Sequence, residues 1–166
     1  MSRFSVFIIL LCIGDLTPGA VVINEIHLNP DVKIEQVEFI ELHNTGEQPV
    51  DLSGWSFTRG IDFDFPDGTS LGPGEYLVLA GEPLLTREYY DLENVLGPWE
   101  GGLSNSAETL LLRDHNGNPA DRVRYADEGS YPETPDGEGP SLELINPEIE
   151  NRYGPAWRAS EELGSP

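Results

Sequence analysis

Apolar and polar residues alternate with a period of two along several short stretches of the chain, and turn residues close each stretch. In the clearest case, Ile61, Phe63 and Phe65 alternate with two aspartates before Pro66. Such alternation predicts a β-strand with one face in a core and the other in water. Similar short apolar runs predict further strands at residues 21–26, 38–44, 54–59, 75–80, 109–113, 121–125 and 141–145.

Turn chemistry separates these runs at intervals of roughly ten residues, which is typical of an all-β sandwich. Asn116-Gly117 between two apolar runs is a strong hairpin signal. Pro119 beside it indicates an edge strand, because proline cannot donate to a sheet. The segments together predict an immunoglobulin-like sandwich of eight or nine short strands.

Two aromatic residues and one long connection add detail to this picture. Trp55 and Phe57 lie two residues apart, which predicts that both side chains enter the core from one strand. Between Gly81 and Ser106, Pro83 and the leucines after it predict one or two helical turns. Trp99 and Leu103 are then expected to attach the rest of this connection to the core.

The first twenty residues have the features of a secretory signal peptide. Arg3 precedes a short apolar run from Phe4 to Ile13, and Ala20 precedes a strand start. A membrane span needs about twenty apolar residues, so this run is too short to be one. We therefore predict a signal peptide at 1–20, a sandwich domain at 21–160 and a disordered tail or linker at 161–166. The alternative is a buried N-terminal strand or an uncleaved anchor.

Cysteine content and charge narrow the function. Cys12 is the only cysteine and lies in the predicted signal peptide, so the mature protein is expected to lack disulfides and thiolate chemistry. The formal net charge is −21, with 30 acidic and nine basic residues. Such a surface repels phosphate backbones, which argues against a nucleic-acid partner. A secreted, acidic, soluble protein that is a monomer or part of a longer protein fits this composition, and no transmembrane anchor is expected after Ala20.

Five segments in their order resemble the lamin tail domain of the secreted bacterial type. They are VVINEIHLNP from Val21, EFIELHNTGEQPVDLSGWSF from Glu38, FPDGTSLGPGEYLVLA from Phe65, GLSNSAETLLLRDHNGNPADRVRY from Gly102, and the stretch from Ser141 to Ser160. The resemblance implies an immunoglobulin-like β-sandwich that acts as an interaction module without a shared active site. Partners of nuclear lamin tails do not carry over to a secreted acidic chain, and fold alone does not determine function.

Two Glu-x-His units form the main candidate site: Glu25 with His27, and Glu41 with His43. Each pair lies on one face of its strand, so neighbouring strands would bring four metal-competent side chains together. Two imidazoles with a carboxylate suit zinc or another divalent transition metal, with catalysis as a further option. The alternative is that the carboxylates bond to backbone and the histidines face solvent.

Acidic turns are a second candidate site, for structural calcium. Asp62, Asp64 and Asp67 form one set of oxygen ligands. A second set lacks the glutamate that closes an EF-hand, and it comprises Asp114, Asn116, Asn118 and Asp121. Acidic turns of this kind are more often simply solvated, so the expected cofactor is none, with zinc or calcium as the alternative. Exposed aromatics on the long loops are candidate contacts for a partner: Tyr89, Tyr90, Tyr131 and Trp99.

The chain contains no H-E-x-x-H motif. No serine lies in a nucleophile elbow either, because the G-x-S-x-G match at Gly68–Gly72 leads into Pro73-Gly74 rather than into a predicted helix. The sequence therefore favours a secreted or cell-surface module that is not an enzyme and binds a protein or glycan. The alternatives are a metal-binding protein or metal-dependent enzyme that uses the Glu-x-His units, and a structural module of a larger surface protein.

Overall fold

The computed structural model describes residues 21–30, 35–132, 139–161 and 166. The predicted signal peptide at 1–20, with Cys12, lies outside the described residues. Two antiparallel-dominated sheets face each other, which confirms the immunoglobulin-like β-sandwich. The strands are β1 Val21–His27, β2 Phe39–Asn44, β3 Val50–Asp51, β4 Ser56–Arg59, β5 Ile61–Asp64, β6 Ser70–Leu71, β7 Tyr76–Ala80, β8 Val95–Leu96, β9 Glu100–Gly101, β10 Ala107–Arg113, β11 Pro119–Ala126, β12 Leu142–Leu144 and β13 Trp157–Ala159.

One sheet has six strands and the other has five. The six-stranded sheet has the order β13-β12-β1-β2-β7-β8, and the five-stranded sheet has the order β11-β10-β4-β5-β9. Strands β3 and β6 form a separate two-stranded ribbon. Among the described residues, all strand pairings are antiparallel except that of β7 with β8. Strand β4 therefore lies at the centre of the five-stranded sheet, and β11 forms one edge, as the proline at its start predicts.

The core lies between the two sheets and follows the alternation of the sequence. Ile40 and Leu42 on β2 point inwards with Leu79 of β7, and all three side chains are fully buried. From the opposite sheet, Leu110 and Leu112 of β10 fill the same core. Each such side chain contributes about 1.5–3 kcal/mol by leaving water, so this double layer is the main source of stability.

The described residues contain thirteen strands, more than the eight or nine predicted. Four strands, β3, β6, β8 and β9, have only two residues each. A two-residue pairing carries too little alternation to be read from a sequence. Of the longer strands, β13 was not predicted, and the others lie within one or two residues of their predicted positions. The predicted helical turns form helix α1, Pro83–Tyr90.

Trp55 departs from its predicted place in the core. Strand β4 begins after it, and Trp55 is half-buried where it packs against the core, whereas Phe57 is 2% exposed. The indole Nε1 is buried without a hydrogen-bond partner. The prediction that both rings enter the core from one strand is therefore confirmed for Phe57 and wrong for Trp55. Trp55 lies one residue before the start of β4, so the strand does not direct its ring inwards. Trp99 and Leu103 are buried, as predicted.

Helix α1 packs beside the outer face of the six-stranded sheet. There Phe39, Val78 and Ala80 form a second apolar cluster, which Tyr90 at the end of α1 partly covers. Asp91 ends the helix in the left-handed conformation, at φ 55°. No helix among the described residues is long and apolar enough to cross a membrane. The helix thus divides this outer face into a covered part and an open part.

Candidate functional site: an acidic cleft on the six-stranded sheet

A bulge in β1 determines which side chains reach the outer face of the six-stranded sheet. The register with β2 shifts between Ile23 and Glu25, so Asn24 has no partner position. Because of this extra residue, Ile23 and Ile26 both enter the core although they are three positions apart. Glu25 then lies on the outer face, directly opposite Glu41 of β2.

Three glutamates form a row across the outer face. Glu25 pairs with Glu41 on one side and with Glu143 of β12 on the other. Directly opposed residues in a sheet have Cβ atoms about 4.5–5.5 Å apart, so the three carboxyl groups are close neighbours. Sequence reasoning missed Glu143, since nothing in the chain indicated that β12 pairs with β1.

The central two glutamates are almost completely buried. Glu25 is 4% exposed and Glu41 is 5% exposed. The Ser141 hydroxyl donates a hydrogen bond to Glu25, and the Asn24 amide donates one to Glu41 at 2.8 Å. Each carboxyl group therefore has a neutral donor, and no cation of the described residues forms an ion pair with either.

Burial of the carboxyl groups raises their pKa values. The pKa of Glu25 is raised to about 8, chiefly by loss of water. The hydrogen bond from Ser141 opposes this shift, and the charges of Glu41 and Glu143 add to it. Burial likewise raises the pKa of Glu41 to about 7, with Asn24 opposing and Glu143 adding to the effect. Near neutral pH, the pair consequently holds protons that ordinary surface carboxylates have lost.

An open cleft of about 550 Å³ lies above these glutamates. Its walls combine apolar and polar groups. Val78 and Leu92 supply apolar surface, and Tyr76 at its side is 55% exposed. Polar groups come from Asn24, Asn94, Glu93 and the three-glutamate row. A concave site with an apolar wall and a few convergent polar groups has the usual features of a ligand pocket.

His27 and His43 lie at opposite ends of this face. His27 aligns with Phe39, and His43 aligns with Val22 and with Tyr76. The two histidine positions are therefore four residues apart along β2, or about 13 Å in an extended strand. In this register the two glutamates are direct neighbours, whereas the two histidines are far apart.

His27 is a structural group under helix α1. Its side chain is 1% exposed, and its Nε2 donates to the Gly139 carbonyl at 3.0 Å. Nδ1 is then the acceptor for the Tyr90 hydroxyl, also at 3.0 Å. Burial lowers the pKa of His27 to about 4, although the Gly139 contact opposes this shift. With both nitrogens in use, His27 serves as a neutral connector between β1, α1 and the Gly139 loop.

His43 has a different environment, since its ring stacks on Tyr76. The two ring centroids are 4.2 Å apart, and the planes differ by 7°. The His43 side chain is half-buried, burial lowers its pKa, and its Nδ1 is buried without a hydrogen-bond partner. Tyr76 of this stacked pair lines the cleft, and no feature of the sequence indicated its contact with His43.

The structure corrects the alternative interpretation of the Glu-x-His units. Glu25 and Glu41 bond to side chains rather than to backbone, and His27 is buried rather than in solvent. Within the described ranges, no group of three His, Cys, Asp or Glu residues is arranged to hold a metal ion. The zinc hypothesis for Glu25, His27, Glu41 and His43 stays a prediction that metal analysis tests.

The calcium candidates lie elsewhere in the fold. Asp62 and Asp64 are exposed on β5, and Asp67 is in the following turn. In the hairpin loop, the Asp114 carboxylate accepts hydrogen bonds from the amides of Asn116 and Asn118, which hold the turn. Asp121, placed further along, accepts from the Ile23 amide and from Asn151, so it connects the two sheets.

The four aromatic candidates fall into separate places. Tyr89 is 51% exposed on α1, while Tyr90 is tied to His27. Trp99 is buried, and the Tyr131 hydroxyl donates to the Arg124 carbonyl. They do not form one surface, and Tyr76 is the exposed aromatic residue that lines the cleft.

Comparison with known proteins gives one informative result. No curated protein matches the chain. The family model described as Lamin Tail Domain matches residues 16–127, which is more than half of the chain and includes β1, β2 and the helix beside the cleft. Domains of this family have an immunoglobulin-like fold and are interaction modules that are not typically catalytic. The chain belongs to the lamin tail domain family.

Proposed function

We propose that this protein is a secreted or cell-surface, non-catalytic interaction module of the bacterial type, which binds a protein or glycan partner in the acidic cleft. The observation that carries the proposal is the 550 Å³ cleft, which exposes Tyr76 above two buried carboxyl groups. Signal-like features of residues 1–20 support export, and the family supports an interaction role.

The chemistry of the lining favours a protein with a basic side chain over a neutral glycan. The cleft is lined by Glu25, Glu41, Glu93 and Glu143, with no lysine or arginine among its described lining residues. A lysine or arginine entering the cleft would meet the carboxylates of Glu93 and Glu143, and it would favour loss of the protons that Glu25 and Glu41 hold near neutral pH. The exposed ring of Tyr76 offers a face for a cation or a sugar. A neutral glycan would use the ring and the two asparagine amides instead.

Binding probes of both kinds test this proposal. We would titrate the ¹⁵N-labelled protein with a lysine- and arginine-containing decapeptide and, separately, with neutral oligosaccharides. Peptide binding should shift the amides of Glu41, Tyr76 and Leu92, and Tyr76→Ala should weaken it. The matched control is Tyr89→Ala, since Tyr89 is as exposed but lies on α1.

The outcomes separate the alternatives. Shifts with oligosaccharides alone would identify a glycan-binding module, whereas shifts far from the cleft with both probes would refute this binding site. Export is tested by mass analysis of protein from the culture medium, and a mature N-terminus near Val21 is expected. An intact N-terminus starting at Met1 in the cell fraction alone would refute the secreted location.

The metal alternative rests on the same side chains and has its own test. Elemental analysis of the purified protein, with thermal melts in the presence and absence of chelator, would detect zinc or calcium. One metal per chain with a chelator-sensitive melting temperature would replace the non-catalytic module by the metal-binding alternative. A role as a structural module of a larger surface protein would be supported by a reading frame that continues past Pro166.

A further inference from the structure

The outer face of the five-stranded sheet has its charges sorted by sign. On the β10–β11 side lie three arginines, Arg113, Arg122 and Arg124. On the β5–β9 side lie three carboxylates, Asp62, Asp64 and Glu100. The core side chains of these strands, such as Val123 and Tyr125, point the other way, so the charged residues share the outer face.

These charges do not neutralise each other within the chain. Strands β11 and β5 are three strand spacings apart, or about 14 Å. The ion pairs of the described residues are Arg152 with Glu150 and Arg158 with Glu143, which leaves the three arginines outside any ion pair. Arg113 instead donates to the Thr58 hydroxyl and to the Gly117 carbonyl. Both halves of this face are thus open to charges from another molecule.

The acidic half also contains a hollow. A cavity of about 410 Å³ is lined by Asp62, Asp64 and Glu100, together with Thr58 and Pro98. An arginine side chain fits such a hollow, because its planar head pairs with carboxylates while its stem packs on apolar groups. The cationic half of the same face supplies arginines of that kind.

The strand order makes the face complementary to itself. Because β4 is the central strand, rotation by 180° about an axis along β4 brings β11 of one copy over β9 of the other, and β10 over β5. The registers keep residues in their rows: Arg122 lies in the same row as Asp62 and Glu100, and Arg113 in the same row as Asp64. In this arrangement, Arg122 of each copy meets Glu100 of the other, and Arg113 meets Asp64.

We propose that the outer face of the five-stranded sheet is a self-association surface, on which a second copy of this chain docks with its arginine half on the carboxylate half. Such a two-fold contact repeats every ion pair twice. A five-stranded face about 20 Å wide and about six residues, or about 20 Å, long has an area of about 400 Å². This area is smaller than the roughly 800 Å² per partner of stable complexes, so the dimer is weak and concentration-dependent. It differs from the monomer that the sequence analysis expects.

The net charge of the chain acts against this contact at long range. Two chains of charge −21 repel each other. At physiological ionic strength the Debye length is about 8 Å, so distant charges are screened while ion pairs in contact persist. Association is therefore expected at moderate salt, and it should weaken both at very low and at very high ionic strength.

Charge reversal tests the proposal by sedimentation equilibrium of the full chain over a concentration series. R122E should raise the dissociation constant at least about tenfold, because two symmetric pairs become repulsive. The matched control is R87E, which makes the same change of net charge at an exposed position of α1. R87E should leave the constant within about twofold.

A mixing experiment then tests the pairing itself. E100R alone should also weaken association, since it sets Arg122 opposite an arginine. An equimolar mixture of R122E and E100R chains should associate as the wild type does, because each reversed position then faces the opposite charge. A wild type that stays monomeric at every concentration, equal effects of R122E and R87E, or a mixture without recovered association would each overturn the proposal.

Discussion

The two outer faces of the sandwich follow the same alternation in sequence and differ in what happens to their polar residues. On the six-stranded face, Glu25, Glu41 and His27 are each 5% exposed or less. On the five-stranded face, Arg122, Arg124 and Asp62 are exposed. Helix α1 and the neighbouring strands and loops enclose the first face, so its polar groups must find hydrogen bonds within the protein. A polar residue at an outward position is therefore not necessarily a solvated one.

The largest expected effect comes from an outward apolar residue of the six-stranded face. Phe39→Ala should lower the free energy of unfolding by about 3–5 kcal/mol, since it leaves a cavity beneath Tyr90 and His27. The control is Thr58→Ala on the other outer face, where the change should stay within about 0.5 kcal/mol. Denaturant melts of both variants measure the difference between their free energies of unfolding. Similar losses of stability in the two variants would contradict the comparison of the two faces.

The second effect separates the two histidines. His27→Ala should cost about 2–4 kcal/mol, because the Tyr90 hydroxyl and the Gly139 carbonyl lose their buried partner. His43→Ala should cost less than about 1 kcal/mol, since His43 has a stacking contact and an unpaired nitrogen. The sequence alone implied that both replacements would be nearly neutral if no metal bound. Equal stability of the two variants in urea melts would show that the Tyr90 contact contributes little.

The third effect is a dependence of stability on pH. Carboxyl groups whose folded pKa is raised stabilise the protein below their unfolded pKa, near 4.5, and this contribution is lost as pH rises through the folded values of about 7 and 8. His27, whose pKa is lowered to about 4, acts in the opposite direction and only below about pH 6.5. Between pH 6.5 and 8.5, the free energy of unfolding should fall by about 2–3 kcal/mol.

A double variant isolates this contribution. Glu25→Gln with Glu41→Gln should flatten the decline above pH 6.5 while keeping the shape of both side chains. Asp62→Asn on the five-stranded face should leave the decline in place. Urea melts at five pH values are sufficient, and a decline that persists in the double variant would assign it to other groups.

The smallest effect is expected at the rim of the glutamate row. Arg158 bonds Glu143 at 2.9 Å, but their side chains are 51% and 31% exposed. An exposed pair of this kind contributes about 0–1 kcal/mol, so Arg158→Ala should hardly move the melting midpoint. A loss as large as that of His27→Ala would mean that the buried glutamates depend on this outer ion pair.

The period-two pattern was enough to predict the sandwich and most strands, because a strand with one buried face must alternate. It failed where a strand is only two residues long, as in β8 and β9, or starts one residue late, as at Trp55. Tertiary pairing, rather than local preference, creates such elements. The resemblance of the ordered segments predicted the lamin tail domain family, and the family match over residues 16–127 confirms that family.

The site was predictable in part. The sequence directed attention to Glu25 and Glu41, and the structure does place them side by side. Glu143 and Ser141 lie more than 100 residues after Glu25 in the sequence, so no local pattern could predict that they are its neighbours. Their contribution depends on which strand pairs with β1, and that choice is made by the whole fold.

The bulge at Asn24 shifts the side-chain alternation of β1 by one residue. If the residues of β1 paired with β2 without the bulge, they would alternate strictly, so Ile23 and Ile26, three positions apart, could not both stay in the core. Either an isoleucine would enter the cleft or Glu25 would enter the core. The bulge is therefore as important to the cleft as the identity of the residues that line it.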